Sequence, residues 1–534
     1  MPQVQAQTTR PAFENENTVW RLKQANRLAE FDRKFDAAVE RARKQLGQAY
    51  TNVINGKHVD SKGGTFADTN PALTSEVLGH FPQSTVEETN LAIDAAVEAY
   101  QAWSSLDWTK RVALIRKASD LLRDAKYEFA AWMSLENGKN RTESMNDVDE
   151  AIDFLTYYPL VYEQNQGFVT PMYQPFPNEE CVSILKPYGA WAVIAPFNFP
   201  TAITVGMTTG AILTGNTAVV KPASDTPMMA YKFVELLHKA GVPTGVVNFV
   251  TGPGNVVGQT LLDSPKISGV VFTGSREVGL KGIEASAKRG RPFIAEMGGK
   301  NAVIVTAKAD IEAAAEGVAR SAFGFGGQKC SACSRVYVQD KVKDDFVKRL
   351  LDWTKKNVSV GDPTKKDTFM GPVITKRAHD KYLEYVKLAK QGGKVLTGGK
   401  SAATGPLATG YFVEPTIVDG LADDHWITQN ELFVPILSVY AFKTLPEAVE
   451  RANHVPYGLT GGVFSKDRKE QEYFLDHMEA GVLYVNRRIG GSTGAIVGGQ
   501  SFVGWKASGS SGRGAGGPWY LHQFLREQSH TRAG

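Results

Sequence analysis

From Cys181 onward, short β-branched runs alternate with stretches of helical periodicity, and this alternation constrains the chain more than any other feature. Val193-Ile194, Ala218 to Val220, Val246 to Val250 and Val270 to Phe272 are separated by segments such as Pro227 to Ala240. Strands that read as near-continuous apolar runs need cover on both faces, so this order predicts a parallel sheet flanked by helices. Sheets of that kind take their ligands at the carboxyl ends of the strands. A second series, Ala302 to Val305, Val336 to Val338, Leu437 to Phe442 and Val482 to Val485, predicts a second α/β domain. At 534 residues the chain is in any case too long for one hydrophobic core.

Outside these series, Trp20 to Gly47 is a charged amphipathic stretch and reads as an N-terminal arm. Two overlapping capping boxes, Ser84 with Glu87 and Thr85 with Glu88, open a helix, and another is expected from about Thr109 to Ser134. Pro187 to Val220 carries no charge and is long enough to span a bilayer, but Pro196, Asn198, Pro200 and Asn216 interrupt it, so it reads as buried strand, loop, helix and strand. The segment around Phe168 to Lys186 is expected to form a hairpin.

Charge and cysteine content narrow the function classes. Sixty Lys+Arg against 56 Asp+Glu give a net charge of +4 with no basic block, which excludes a nucleic-acid footprint. Three cysteines, Cys181, Cys330 and Cys333, cannot staple a fold of this size and suit a reducing compartment, so a cytoplasmic location is expected. Met1 to Arg10 lacks the apolar core of a signal peptide.

Glycines stand where two strands turn into helices: Gly252, Gly254 and Gly258 after Val250, and Thr273-Gly274-Ser275 with Gly279 after Phe272. Each alone is a tight turn; in tandem they point to a dinucleotide site. Gly512-x-Gly514-x-x-Gly517 matches the strict glycine fingerprint but leaves too little chain for a βαβ unit. No glycine loop is followed by a Walker lysine, so phosphoryl transfer has no support. Cys330 and Cys333 have C-x-x-C spacing, yet no second pair completes a zinc site, and no metal is expected. An isolated cysteine is ordinarily inert and buried; the open, polar approach Gly326-Gly327-Gln328-Lys329 makes Cys330 a candidate nucleophile instead. Glu296, followed by Met297-Gly298-Gly299, is ordinarily a surface or ion-paired carboxylate but could face a cleft as a base.

Taken in order, Pro196-Phe-Asn198-Phe199-Pro200, Lys221-Pro-Ala-Ser224, Phe272-Thr273-Gly274-Ser275, Glu296-Met-Gly-Gly-Lys-Asn301, Gly327-Gln-Lys-Cys330 and Glu431-Leu-Phe433-Val434-Pro435 resemble the aldehyde dehydrogenase superfamily over about residues 50 to 520. Within it, Cys330-Ser331 to Arg335, Glu143 upstream of Glu150 to Asp153, and Ser492 to Gly498 resemble the branch that oxidises L-glutamate γ-semialdehyde. Val434 and Val503 stand where that family usually has glycine.

The resemblance implies an aldehyde dehydrogenase-like α/β fold: an arm at 1–50, a Rossmann-like NAD(P)-binding domain at 51–295 with an oligomerisation hairpin about 168–186, a catalytic domain at 296–500, and a C-terminal oligomerisation segment at 501–534 with Trp519, Tyr520 and Phe524. It implies that Cys330 attacks the aldehyde, that Asn198 and the Cys330 N–H receive the oxyanion, and that Glu296 activates the hydrolytic water. Pro196, Lys221, Ser224, Gly254, Gly258, Thr273, Gly274, Ser275, Glu431 and Phe433 would hold NAD. A Ser at 224, in place of a carboxylate, admits NADP as well. Ser331, Gly494 and Ala495 would hold the substrate carboxylate, Glu143 would lie near its ammonium, and Phe199 and Phe502 would sandwich its stem. The implied partners are a small semialdehyde and further copies of the chain, without nucleic acid or membrane. An aldehyde dehydrogenase for other semialdehydes or aliphatic aldehydes is the rival reading, and a catalytically silent paralogue is another.

Overall fold

The structure is a computed structural model that describes residues 13–489 and 496–534. Two seven-stranded sheets organise it. The first runs, in spatial order, Phe293–Glu296, Ile267–Thr273, Ala190–Ile194, Thr217–Lys221, Val247–Phe249, Asn52–Ile54 and Lys57–Val59. Its first five strands are parallel; the last two join antiparallel. Of the parallel strands, the chain lays down Ala190–Ile194 first, builds outward through Thr217–Lys221, and then returns to the other side with Ile267–Thr273. That reversal leaves a crevice at the carboxyl ends between Ala190–Ile194 and Ile267–Thr273, the place where open α/β sheets bind ligands.

The second sheet runs Lys394–Thr397, Thr416–Asp419, Ile436–Phe442, Cys333–Gln339, Asn301–Val305, Thr460–Phe464 and Val482–Val485, parallel apart from the first pair. All eight β runs read from the sequence are strands. The uncharged stretch is resolved as expected into strand Ala190–Ile194, helix Ala202–Leu213 and strand Thr217–Lys221. Among the described residues no helix is long and apolar enough to cross a membrane.

The arm is packed down. Helix Leu28–Arg43 buries Phe31, Phe35, Ala38 and Val39 in the same core as helix Trp108–Asn137, while Arg141 reaches back to Asp32 at 3.0 Å and to Asp36. The hairpin has strands Val169–Pro171 and Glu179–Pro187, and the last strand, Leu525–Ala533, pairs antiparallel along the whole of the latter. Tyr520 and Phe524 are buried in their own subunit, Tyr520 stacked on Tyr158 at 5.4 Å and Phe524 against Trp191 at 4.7 Å; of the three aromatics only Trp519 is exposed. Helix Ala202–Leu213 is itself almost wholly apolar, and two of these rings fill the space over its Gly210.

Candidate active site

Strand geometry brings the candidate catalytic groups to the crevice. Thr273 and Glu296 end adjacent parallel strands as direct partners, and Ile194, paired with Lys221 on its other side, leads through Pro196 to the buried Asn198 and Phe199. From the other sheet Cys330 and Ser331 face the same space. Cys330, Ser331, Glu296, Thr273, Phe199 and Phe502 line one pocket. Glu150, Phe154 and Tyr520 line it too and were not expected there as site residues. Glu150 was legible only as part of a motif, and Tyr520 only as an aromatic tail residue.

The turn that delivers Cys330 is strained and heavily held. After helix Ile311–Phe323, three successive residues, Phe325, Gly326 and Gly327, have φ of 50°, 61° and 67°. For Phe325 the left-handed conformation costs about 1–3 kcal/mol, which surrounding contacts must offset. The Phe325 N–H donates to Glu143 Oε2 at 2.9 Å, and Lys329 Nζ pairs with Glu143 Oε1 at 2.5 Å. Glu143 thus braces the nucleophile's turn. It does not line the pocket; Glu150, two helical turns further on, does. On the far side Asn301 Nδ2 donates to the Cys330 and Ala332 carbonyls at 2.7 and 2.9 Å, and its Oδ1 accepts the Thr460 N–H at 2.9 Å. Asn301 is a positioning residue that the sequence showed only as the end of a motif. Cys333 is buried, its thiol donating to the Arg335 carbonyl at 3.4 Å.

Burial pushes the Cys330 thiol well above its ordinary range, and the charges of Glu431 and Glu296 push the same way. Burial also holds the Glu296 carboxyl well above the usual carboxylate range, against a hydrogen bond from the Gly504 N–H. Glu296 Oε2 has no hydrogen-bond partner among the described residues, so one lone-pair face is left for a small polar molecule. Behind the pocket lies a fully buried ion pair, Lys139 with Asp147 at 2.6 Å. Asp147 accepts the Ala202 N–H at 2.7 Å, and Lys139 Nζ lies 3.5 Å from the centroid of the Phe199 ring, a cation–π contact that fixes that wall.

Lys221 is buried, its ammonium donates to the Pro222 carbonyl at 2.8 Å, and burial lowers its pKa to about 8 against the pull of Asp225. Ser224 is exposed, its hydroxyl donating to the Gly252 carbonyl at 3.3 Å. Nothing stands within 4 Å of where a Cβ on Gly254 or Gly258 would be, so backbone there is open to close approach. Ser275 caps helix Arg276–Ala287, whose free N–H groups suit a pyrophosphate, and a Cβ on Gly274 would strike the Phe272 ring at 2.6 Å. Glu431 accepts the Gly299 N–H at 3.0 Å, and burial raises its pKa to about 7; burial likewise lowers neighbouring Lys300 to about 7. Phe433 sits at φ 60°, its ring edge-on to Phe197 at 5.6 Å. Open glycine backbone, a helix N-terminus and buried groups able to hold ribose hydroxyls fit a dinucleotide. Gly494 and Ala495 lie outside the described residues. Phe502, just beyond, is held by paired hydrogen bonds of 2.9 Å with Ala515.

The aldehyde dehydrogenase family model matches residues 58–530, leaving the arm outside it. The chain is 40% identical over 515 residues to 1-pyrroline-5-carboxylate dehydrogenase of Geobacillus kaustophilus, covering 95% of this chain and 96% of the relative. It is 41% identical over 502 residues to 1-pyrroline-5-carboxylate dehydrogenase 2 of Bacillus subtilis, covering 93% and 95%. The solved structure of 1-pyrroline-5-carboxylate dehydrogenase from Thermus with bound NAD superposes with a TM-score of 0.91 at 38% identity, over 98% of this chain and 100% of that one. Betaine aldehyde dehydrogenase from Staphylococcus aureus in complex with NAD+ gives 0.88 at 29% identity, over 94% and 97%. With a thiol and a carboxylate in one pocket beside a dinucleotide crevice, and with likeness of this extent, the chain belongs to the aldehyde dehydrogenase family.

Proposed function

We propose that the protein oxidises L-glutamate γ-semialdehyde to L-glutamate with NAD, the second oxidation of proline breakdown, in the cytoplasm. The observation that carries this reading is that Cys330 and Glu296 line the same pocket, between the aromatic walls Phe199 and Phe502. The names of the relatives support the substrate. Residues 51–295 supply the cofactor crevice and 296–500 the nucleophile.

The Cys330 thiolate attacks the aldehyde carbon, and the side-chain amide of Asn198 with the Cys330 N–H receives the oxyanion. NAD held in the crevice would supply the hydride acceptor, and loss of hydride from the Cys330 adduct leaves a thioester on the sulfur. Glu296 then takes a proton from the water that opens it. The surroundings of the Cys330 thiol, with the charges of Glu431 and Glu296, oppose its ionisation, so positive charge entering the pocket would favour the nucleophilic form. Phe199 and Phe502 flank the aliphatic stem, and Ser331 holds the carboxylate together with the backbone at Gly494 and Ala495. Glu143 acts on the nucleophile's turn, through Phe325 and Lys329, rather than on the substrate ammonium.

Purified protein given the semialdehyde and NAD is expected to form NADH with a kcat/KM well above that for propionaldehyde; parity between the two substrates rejects the reading. The exposed Ser224 leaves room for a 2′-phosphate, so NADP is also turned over. In Ser224→Glu, NADP turnover is expected to fall about tenfold or more through charge repulsion while NAD is used as before. Unchanged NADP kinetics in that variant show that this position does not meet the ribose. We also propose a dimer or a multiple of it, because Tyr173, 96% exposed, Phe176 and Met172 leave the hairpin tip apolar and uncovered.

A further inference from the structure

Helix Arg141–Gln164 carries Glu150 and Phe154 into the pocket, and on an adjoining face it buries two carboxylates one turn apart, Asp149 and Asp153. All four of their oxygens are occupied by the arm. The Thr18 N–H and hydroxyl donate to Asp149 at 2.6 and 2.7 Å; the Glu16 N–H and Asn15 Nδ2 donate to Asp153, both at 2.8 Å. Without the arm these buried carboxylates would lack partners.

Asn15 does more than satisfy Asp153. The same Nδ2 donates to the Val497 carbonyl at 3.0 Å, so one amide joins the helix to the segment that leads into Phe502. Phe13 reinforces the joint. Its ring lies 5.1 Å from Tyr157 of the helix, and a Cβ on Gly498, which has φ 74°, would stand 2.9 Å from that ring. The Gly498 N–H donates to the Gly516 carbonyl at 2.9 Å, and Phe502 pairs with Ala515, so the spacing is passed directly to the opposite wall of the pocket.

We propose that Asn15 is a positioning residue for substrate selection: by tying helix Arg141–Gln164 to Val497 it sets the separation between the Glu150–Phe154 wall and the Phe502–Ala515 wall of the Cys330 pocket. The arm lies outside residues 58–530, the span that matches the family model. Wall spacing matters to a substrate long enough to touch both walls and little to a short aliphatic aldehyde. This inference rests on the substrate proposed above.

The test compares full-length wild type, Asn15→Ala and Glu16→Gln with glutamate semialdehyde, propionaldehyde and NAD. Asn15→Ala, which removes two hydrogen bonds, is expected to raise KM for the semialdehyde about tenfold while kcat and KM for propionaldehyde move less than about twofold. Glu16→Gln loosens the arm from Arg123 and Lys126 without touching Val497, and is expected to leave the substrate ratio unchanged. If Asn15→Ala shifts both aldehydes equally, or if Glu16→Gln changes the ratio as much, the arm acts through stability alone and the inference fails. Should Asn15→Ala not fold, Phe13→Leu, which keeps the amide and loosens the contact at Gly498, is expected to raise the semialdehyde KM selectively and by a smaller factor; no selective change overturns the inference. A wild type that prefers neither aldehyde removes the substrate reading and this inference with it, whereas a preference that Asn15→Ala leaves intact removes only the latter.

Discussion

Cys330→Ser is expected to lower aldehyde oxidation by on the order of 10⁴-fold or more while NAD binding, followed by quenching of tryptophan fluorescence, stays near that of the wild type. The pocket already resists a negative charge at this position, through burial and through Glu431 and Glu296. A thiol, with an unperturbed pKa of about 8.5, can overcome that resistance when positive charge arrives; a hydroxyl, far harder to ionise, cannot. Size and hydrogen bonding change little, and the turn stays braced by Asn301 and Glu143, so the fold and the crevice are retained. Turnover within about tenfold of wild type, at most about 1.4 kcal/mol of barrier, would remove Cys330 from the chemistry.

Glu296→Gln tests the second half of the reaction. The variant keeps the shape of the side chain but cannot accept a proton, so acylation proceeds and hydrolysis stalls. The expected result is one burst of NADH followed by steady turnover reduced by about 10²- to 10⁴-fold. The pH profile supplies a second readout. Burial lifts the Glu296 pKa well above its ordinary value, so the proton stays on through acidic pH and the base form appears only as pH rises through the lifted value. Wild-type kcat therefore climbs with pH and levels off above that point, and the climb is absent in Glu296→Gln. Undiminished steady turnover, or an identical climb in the variant, assigns the water's proton to another group.

The strands rich in Val, Ile and Phe were legible because β-branched residues covered on both faces leave an unmistakable pattern. Thr460–Phe464 was not read as a strand, though it is fully buried between Asn301–Val305 and Val482–Val485; two of its five residues are glycine, and the space at Gly462 is filled by the Tyr484 ring. Helix Arg141–Gln164 gave no amphipathic signal either. It is buried nearly all round, mixes acids with aromatics, and holds Pro159 inside. At the site, Glu296, Asn198 and the glycine turns end or follow strands at short range and Cys330 shortly precedes one, so their placement could be read locally. Tyr520 and Asn15 reach the pocket region from the two ends of the chain, and no local pattern announces a contact between residues 15 and 497.

The tail has a consequence for the order of events during synthesis. Tyr520 completes a wall of the pocket, and a few residues later Leu525–Ala533 zips along Glu179–Pro187. The strands of both seven-stranded sheets are already laid down by Val485, well before Tyr520 is added, so the sheets can assemble first. The reactive cleft therefore waits on Tyr520, and a chain synthesised only as far as the second sheet would carry its nucleophile in an unroofed cavity.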